Sequence, residues 1–455
     1  MAKRTFNAKE LIADIRSGLS RSAILKKYQV SHDELSFLIR KLLDAKAVKE
    51  SDLRRFTAPL GSSPAFECPE CGTMYPDDFD QCPDCGAFVA TIESEMMAEE
   101  PTVTIVEESV SENDSPVAVY RGNMQRTGFY ESKGVRQLSE LKWRFKTEGW
   151  ISSSPVLAYD NVYFGSWDGS IYAVNAESGQ KVWSFATRGP VSSSAAVALG
   201  QAYFGTSDGQ LMTLDAQTGK HKWSFKIDGP VSSSPAVLRD LLYFGGSDGN
   251  LYAIELRSGA VRWHFKAGGL ISSSPAIDEG LICFGSYDTH AYCLDASNGK
   301  KVWTFKAGGP ISGSPAISDG AAYLASWDGA VYCLDLRTGK EKWRFQSESK
   351  ITCSPALGYG KVYLGNSSGR MFAVDLKTGQ ERWKFETGGP ISASPAIAFF
   401  SLYCGSSDRI LYVLDVNTGR EKWRFKTHGS INSSPTVVAQ TVCFGSDDGH
   451  LYTVA

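Results

Sequence analysis

Long apolar runs are missing from this sequence. The opening MAKRTFNAKELIAD has no apolar signal core, and no stretch approaches the length needed to cross a bilayer. The expectation is a cytoplasmic chain without a membrane span. Basic residues are missing from 61–119, which hold 14 acidic residues and no Lys or Arg, whereas 1–60 hold 13 basic against 7 acidic. Residues 120–455 hold 34 basic against 29 acidic, so the net charge of −3 conceals a basic head, an acidic middle and a nearly neutral remainder. In that remainder there is also no room for helices, because turn residues interrupt every apolar run after a few positions.

What is present is a repeat. Trp143, Trp183, Trp223, Trp263, Trp303, Trp343, Trp383 and Trp423 fall 40 positions apart without a slip, and a period of that size signals a solenoid, propeller or array. Each unit contains four short apolar runs, such as SSPVL, NVYFGS, SIYAVN and KVWSF, which read as a four-stranded antiparallel meander. Asp168-Gly169, Asp208-Gly209, Asp248-Gly249, Asp328-Gly329 and Asp448-Gly449 suit tight hairpins that need a positive φ. Four strands repeated about an axis make a propeller blade.

The two ends of the repeat region are each incomplete. The last copy stops at GHLYTVA without its Trp-bearing fourth strand, while ELKWRFKT around Trp143 is a fourth strand with no blade before it. The spacing therefore predicts a mostly β fold: an eight-bladed propeller over 118–455, closed by strand 139–147 pairing in a mixed last blade, which removes open sheet edges.

Each full copy carries Ala-x-Asp/Asn-x-x-Ser/Thr-Gly-x-x-x-Trp or a close variant, as in Ala173, Asn175, Ser178, Gly179 and Trp183, or Ala373, Asp375, Thr378, Gly379 and Trp383. This resembles the tryptophan-docking motif of the pyrroloquinoline-quinone (PQQ) repeat propellers, and YRGNMQRTGFY at 120–130 is similar to their lead-in segment. The physics is legible: the polar side chain caps the turn, Gly takes the left-handed position, and the indole stacks between blades while keeping a hydrogen bond. WD-repeat propellers match less well, since only Trp167-Asp168 and Trp327-Asp328 show that pair, in hairpin turns.

For a quinoprotein dehydrogenase the resemblance implies PQQ beside calcium, a pair of adjacent cysteines against the cofactor, carboxylate ligands and a catalytic Asp. This chain has no Cys-Cys pair, and its blades are too regular to carry long insertions, so the reading is against PQQ and against enzyme activity. The resemblance reaches the BamB-like propellers, which act as scaffolds; their outer-membrane role does not transfer to a chain read as lacking an export signal.

The head, residues 1–60, reads as three helices, with Asn7 and Glu10, then Ser31 and Glu34, spaced as capping boxes. Its short helix, QVS turn and longer helix resemble a helix-turn-helix. In a DNA-binding reading, Arg40, Lys41 and Lys46 lie near phosphates. The presumed base-reading end offers Ser31, His32 and Asp33 and no Arg, Asn or Gln, which favours a small bundle that binds protein or dimerises, with Leu35, Phe37, Leu38, Leu42 and Leu43 as its core.

Residues 64–90 read as a zinc ribbon. Cys68, Cys71, Cys82 and Cys85 form two Cys-x-x-Cys knuckles ten residues apart, suited to a closed structural Zn2+ site, with iron in a rubredoxin-like site as the alternative. Four thiolates leave no open position for catalysis. Residues 91–117 are acidic, poor in aromatics and read as a flexible linker. Six further cysteines, Cys283, Cys293, Cys333, Cys353, Cys404 and Cys443, sit in strands and read as buried.

The loop before each first strand and the turn between second and third strands must emerge on one face of the ring. Departures from the repeat on that face are candidate partner-binding residues: Trp150, in place of the usual Pro or Leu; Trp167, Tyr287 and Trp327 at a turn position elsewhere Ser or Asp; and Lys350 and Arg370 in the sixth copy, beside Cys353 and Asn366. The serines at 152–154, 192–194, 232–234 and 272–274 open the innermost strands and read as structural. The functional expectation is a bacterial-type, non-enzymatic scaffold that binds a protein partner or ligand on this face. Its alternative is a DNA-binding regulator whose ring is a sensor.

Overall fold

The computed structural model describes residues 117–455, except 133, 136, 139 and 439, together with Lys27 and the strands Phe66–Glu67 and Met74–Tyr75. The chain divides into two compact units, Met1–Ser111 and Glu112–Ala455. In the first, Phe66–Glu67 pairs antiparallel with Met74–Tyr75, so a hairpin brackets the segment of sequence that contains Cys68 and Cys71. The three-helix reading of 1–60, the four-cysteine site and the linker otherwise lie outside the described residues.

The second unit is an eight-bladed propeller. Blade 1 is Val156–Ala158, Asn161–Gly165, Ser170–Asn175 and Lys181–Ala186, hydrogen-bonded in that order from the axis outward. Six further blades repeat it at 40-residue intervals. In the eighth, Thr436–Val438, Thr441–Gly445 and His450–Val454 are completed by Leu141–Lys146, with Thr453 opposite Trp143. Backbone bonds in both directions between Glu140 and Ala455 extend this pairing at the two chain segments that meet there.

Alternation explains the layering. In the second and third strands nearly every apolar side chain is buried, whereas the outer strand alternates exposed charge with Trp and Phe, as in Lys181–Ala186. Each indole reaches the next blade. Trp143 donates Nε1 to Ala176 O at 3.0 Å and lies so close to Gly179 that a Cβ there would sit 2.6 Å from the ring; Gly179 also has φ +68°. The same bond recurs at Trp183, Trp263, Trp303, Trp343 and Trp383, while Trp423 uses Val135 O from the lead-in segment. Among the described residues Trp223 docks against Gly259 without that bond.

The axis is organised by two devices. The first is a closed belt: the backbone N–H of Ser154 donates to Ser194 Oγ, Ser194 to Ser234, and so on through Ser274, Ser314, Ser354, Ser394 and Ser434 back to Ser154, all at 2.9 to 3.1 Å. Only a small hydroxyl at this position can bridge consecutive blades so close to the axis. The second is the lead-in segment. Ala118–Val119 adds a fifth strand to blade 2, and then the carbonyls of Met124, Gln125, Thr127 and Gly128 accept the N–H groups of Ile277, Ile317, Leu357 and Ile397 on the innermost strands of blades 4 to 7.

Arg126 anchors that segment. Fully buried, it donates to the carbonyls of Tyr120, Ser234, Pro235 and Pro275. Burial pushes its guanidinium down to about 9, still charged at neutral pH, and the surrounding carbonyl dipoles stand in for a counter-ion. Tyr120 OH shares hydrogen bonds with Ser394 and Ser434 of the belt at 3.1 and 3.3 Å.

In the turns between second and third strands, Gly169, Gly209, Gly249, Gly329, Gly369 and Gly449 have φ between +76° and +84°. Blades 4 and 7 place Thr289 (φ +73°) and Arg409 (φ +75°) at that position instead. Thr289→Gly and Arg409→Gly are each expected to stabilise the protein by about 0.5 to 1 kcal/mol, since only Gly adopts this region freely. Chemical denaturation at fixed m-value checks this, and a lowered midpoint would refute the strain.

Candidate functional site: the loop face

Eight backbone bonds fix the rim of one face. The residue in the loop before each first strand offers its carbonyl to a turn N–H of the same blade: Trp167 N to Trp150 O, Ser207 to Pro190, Ser247 to Pro230, Tyr287 to Leu270, Trp327 to Pro310, Ser367 to Lys350, Ser407 to Pro390 and Asp447 to Ser430. The backbone hydrogen bond at this pair is thus the same in every blade, while the paired side chains vary from blade to blade. Both kinds of candidate position singled out from sequence belong to these pairs.

Trp150 and Trp167 come together on blade 1. Their ring centroids are 5.5 Å apart at 43°, and Trp167 Nε1 donates to Ser152 Oγ at 2.8 Å, which fixes the indole. They are 54% and 46% exposed, the only exposed Phe, Tyr or Trp side chains among the described residues. Beside them a cleft of about 400 Å³ opens towards blade 8, lined also by Lys146, Glu148, Asp447 and Asp448. Asp448 is committed to the turn, accepting from His428 N, His450 N and Tyr452 OH. Asp447 accepts from Asn432 Nδ2 at 2.7 Å, and burial, with Asp448 next to it, pushes its carboxyl above the usual range.

Tyr287, Trp327 and Lys350 form a second cluster spanning blades 4 to 6. Tyr287 meets Trp327 edge-on at 5.3 Å, and Lys350 Nζ stands 4.7 Å from the centre of the Trp327 ring. Trp327 Nε1 donates to Ser312 Oγ at 2.8 Å, as Trp167 does to Ser152. Arg370 lies apart from both clusters in its bonds: it pairs with Glu348 and, at 3.1 Å, with Glu386. Asn366 is buried and its Oδ1 accepts from Ser368 and from Arg370 N, so it shapes the turn from inside.

The six cysteines are all buried and free; five lie in strands as expected, whereas Cys353 sits in the loop before Ala356–Gly358, its Sγ hydrogen-bonded to Gly365 O at 3.2 Å. Burial pushes the Cys333 and Cys353 thiols to about 11 and Cys443 to about 12, which leaves them protonated and unreactive at neutral pH. No group of three or more potential metal ligands occurs among the described residues. Cys68, Cys71, Cys82, Cys85, Arg40, Lys41 and Lys46 lie outside them.

Asp447 and the anchoring serines Ser152 and Ser312 were not among the sequence candidates. Asp447 was available to inspection, since it stands 40-residue multiples away from Trp167 and Tyr287, but Asp there looks like ordinary turn chemistry.

A ring of eight four-stranded blades, docked by tryptophan and closed by an N-terminal strand, defines a PQQ-type propeller. The chain belongs to the family described as outer membrane protein assembly factor BamB, whose model matches residues 135–287, 247–395 and 383–455. No curated protein sequence matches the chain. Among solved structures it is similar to BamB from Moraxella catarrhalis, with 20% identity over 69% of this chain and 99% of that one and a TM-score of 0.61. The computationally designed Ika8 protein is 17% identical over 68% and 97%, with a TM-score of 0.62. Quinohemoprotein alcohol dehydrogenase from Comamonas testosteroni is 14% identical over 74% and 80%, with a TM-score of 0.66. Such identities speak for the fold, which an assembly factor and a dehydrogenase share. Among the described residues no helix is long and apolar enough to cross a membrane.

Proposed function

We propose that this chain is a non-enzymatic scaffold that holds a protein partner on the loop face of the propeller. The observation that carries the reading is the pair of exposed, mutually packed indoles Trp150 and Trp167 on a rigid rim. Large aromatics in fixed orientation contribute contact area at little entropic cost and are the usual anchors of an interface. Two features support a scaffold over an enzyme. The chain lacks the adjacent cysteines that the quinoproteins use, and its axis is threaded by its own lead-in segment, with Arg121 and Arg126 buried there. The fold that this family shares with BamB is consistent with a binding role.

The test is native mass spectrometry of the full chain purified from its own host, beside a Trp150→Pro/Trp167→Ser variant. Pro and Ser occupy these positions in other blades, so the variant is built to fold. A co-purifying protein should be present with the native chain and depleted at least tenfold with the variant. Equal recovery refutes the loop face, and a bound mass matching a quinone with calcium refutes the scaffold. The same spectra read the four-cysteine motif, for which we propose one structural zinc per chain, lost in Cys68→Ser/Cys82→Ser.

A further inference from the structure

The two tryptophans that interrupt the turn series sit in opposite blades, 1 and 5, and comparing their surroundings is informative. Both are fixed by the same bond, from indole Nε1 to a serine fifteen residues earlier. Trp327 is closed on both sides by the chain: Tyr287 packs on it from blade 4, and Lys350 from blade 6 places an ammonium 4.7 Å from the ring centre. The tryptophan at this position therefore accepts a cation, and in blade 5 the protein supplies one itself.

Around Trp167 the corresponding positions differ in chemistry. Pro190 replaces Lys350 and has no charge to offer; Asp447 replaces Tyr287; and Trp150 replaces Pro310, adding a second indole. The result is an open cleft of about 400 Å³ lined by two mutually tilted indoles and by the carboxylates of Glu148, Asp447 and Asp448. Lys146, the one basic lining residue, donates its ammonium to Asp448 O at 2.9 Å, a turn bond that recurs in other blades, as at Lys226 and Lys266. The cleft thus combines a π surface with excess negative charge, the inverse of the self-filled cluster across the ring.

We propose that the cleft between blades 8 and 1 binds a guanidinium group, the side chain of an arginine on the protein partner. A guanidinium is planar and weakly hydrated: it stacks on an indole while its edge donates a fork of N–H groups to a carboxylate, which matches a cleft lined by both indoles and by Asp447. An ammonium, by contrast, gives a compact point charge that makes one of these contacts well at a time. This assignment deepens the partner-binding reading and rests on it for the source of the arginine, but the site can be tested alone.

The probe is N-acetyl-arginine-N-methylamide, titrated into the full chain while the indole N–H resonances are followed by NMR. The expected result is a saturable, millimolar shift confined to the Trp150 and Trp167 signals, at least about threefold tighter than for the lysine analogue or tetramethylammonium, and absent with the neutral citrulline analogue. Trp167→Ser and Asp447→Asn should each weaken it about tenfold, with the other indole signals unmoved to show that the ring is intact. No saturable shift, binding of the citrulline analogue, or equal binding by lysine overturns the proposal. Failure of the arginine probe while partner capture still depends on Trp150 and Trp167 removes the guanidinium assignment and leaves the scaffold. Arginine binding with partner capture indifferent to both tryptophans does the reverse.

Discussion

Removing residues 139–147 is expected to abolish cooperative unfolding of the propeller. The deletion takes out Leu141–Lys146, leaving His450–Val454 as a bare edge, and it deletes Trp143, the indole that docks onto Gly179 and bonds Ala176 O. Five paired positions of blade 8 lose their partners at once. Blade 8 then presents a hydrophobic strand to solvent, a template for association with other chains. The milder Trp143→Ala keeps the ladder and should cost about 3 to 5 kcal/mol, the usual range for a truncated large aromatic. Differential scanning calorimetry decides the matter: a deletion variant with the parent's sharp transition would mean that seven and three-quarter blades suffice.

Arg126→Met is expected to produce the second largest loss. The substitution approximately keeps volume and removes every donor that the carbonyls of Tyr120, Ser234, Pro235 and Pro275 share. Each stripped acceptor in a buried site costs about 1 to 3 kcal/mol, offset in part by no longer burying a charge, for a net loss on the order of 3 to 5 kcal/mol. For a unit of this size that lowers the melting midpoint by roughly 4 to 7 °C. Arg126→Lys should rescue little, because one ammonium cannot span acceptors drawn from blades 3 and 4. An unchanged midpoint for Arg126→Met would show that the lead-in segment is an ornament on a ring that stands without it.

Which features were legible beforehand follows from the repeat itself. Eight tryptophans in strict register fix blade number, the docking partner and the closure, because each copy votes for the same answer and the two incomplete ends fit together. Features that occur once had no such vote. Arg121 and Arg126 carry the axis, yet in sequence they are two basic residues in a short non-repeating stretch. The serines at the blade entrances were readable as small, whereas a belt running once around the axis depends on ring closure and is invisible in any single copy. On the loop face, Trp150, Trp167, Tyr287, Trp327 and Lys350 stood out as departures. Their sorting into one open pair and one self-capped triad required knowing that position 350 overlies the ring at 327. Asp447 was hidden by resembling the turn residue it neighbours.

The mixed blade also sets a clock on biosynthesis. Leu141–Lys146 leaves the ribosome early, while its partner His450–Val454 is made roughly 300 residues later; at about 5 to 20 residues per second the interval is some 15 to 60 s. During that time the finished blades form an open arc whose leading edge is still unpaired, and the early strand has no native place to go. The tryptophan on that strand is the latch of the ring, so the ring's exposure to misassembly lasts until His450–Val454 appears.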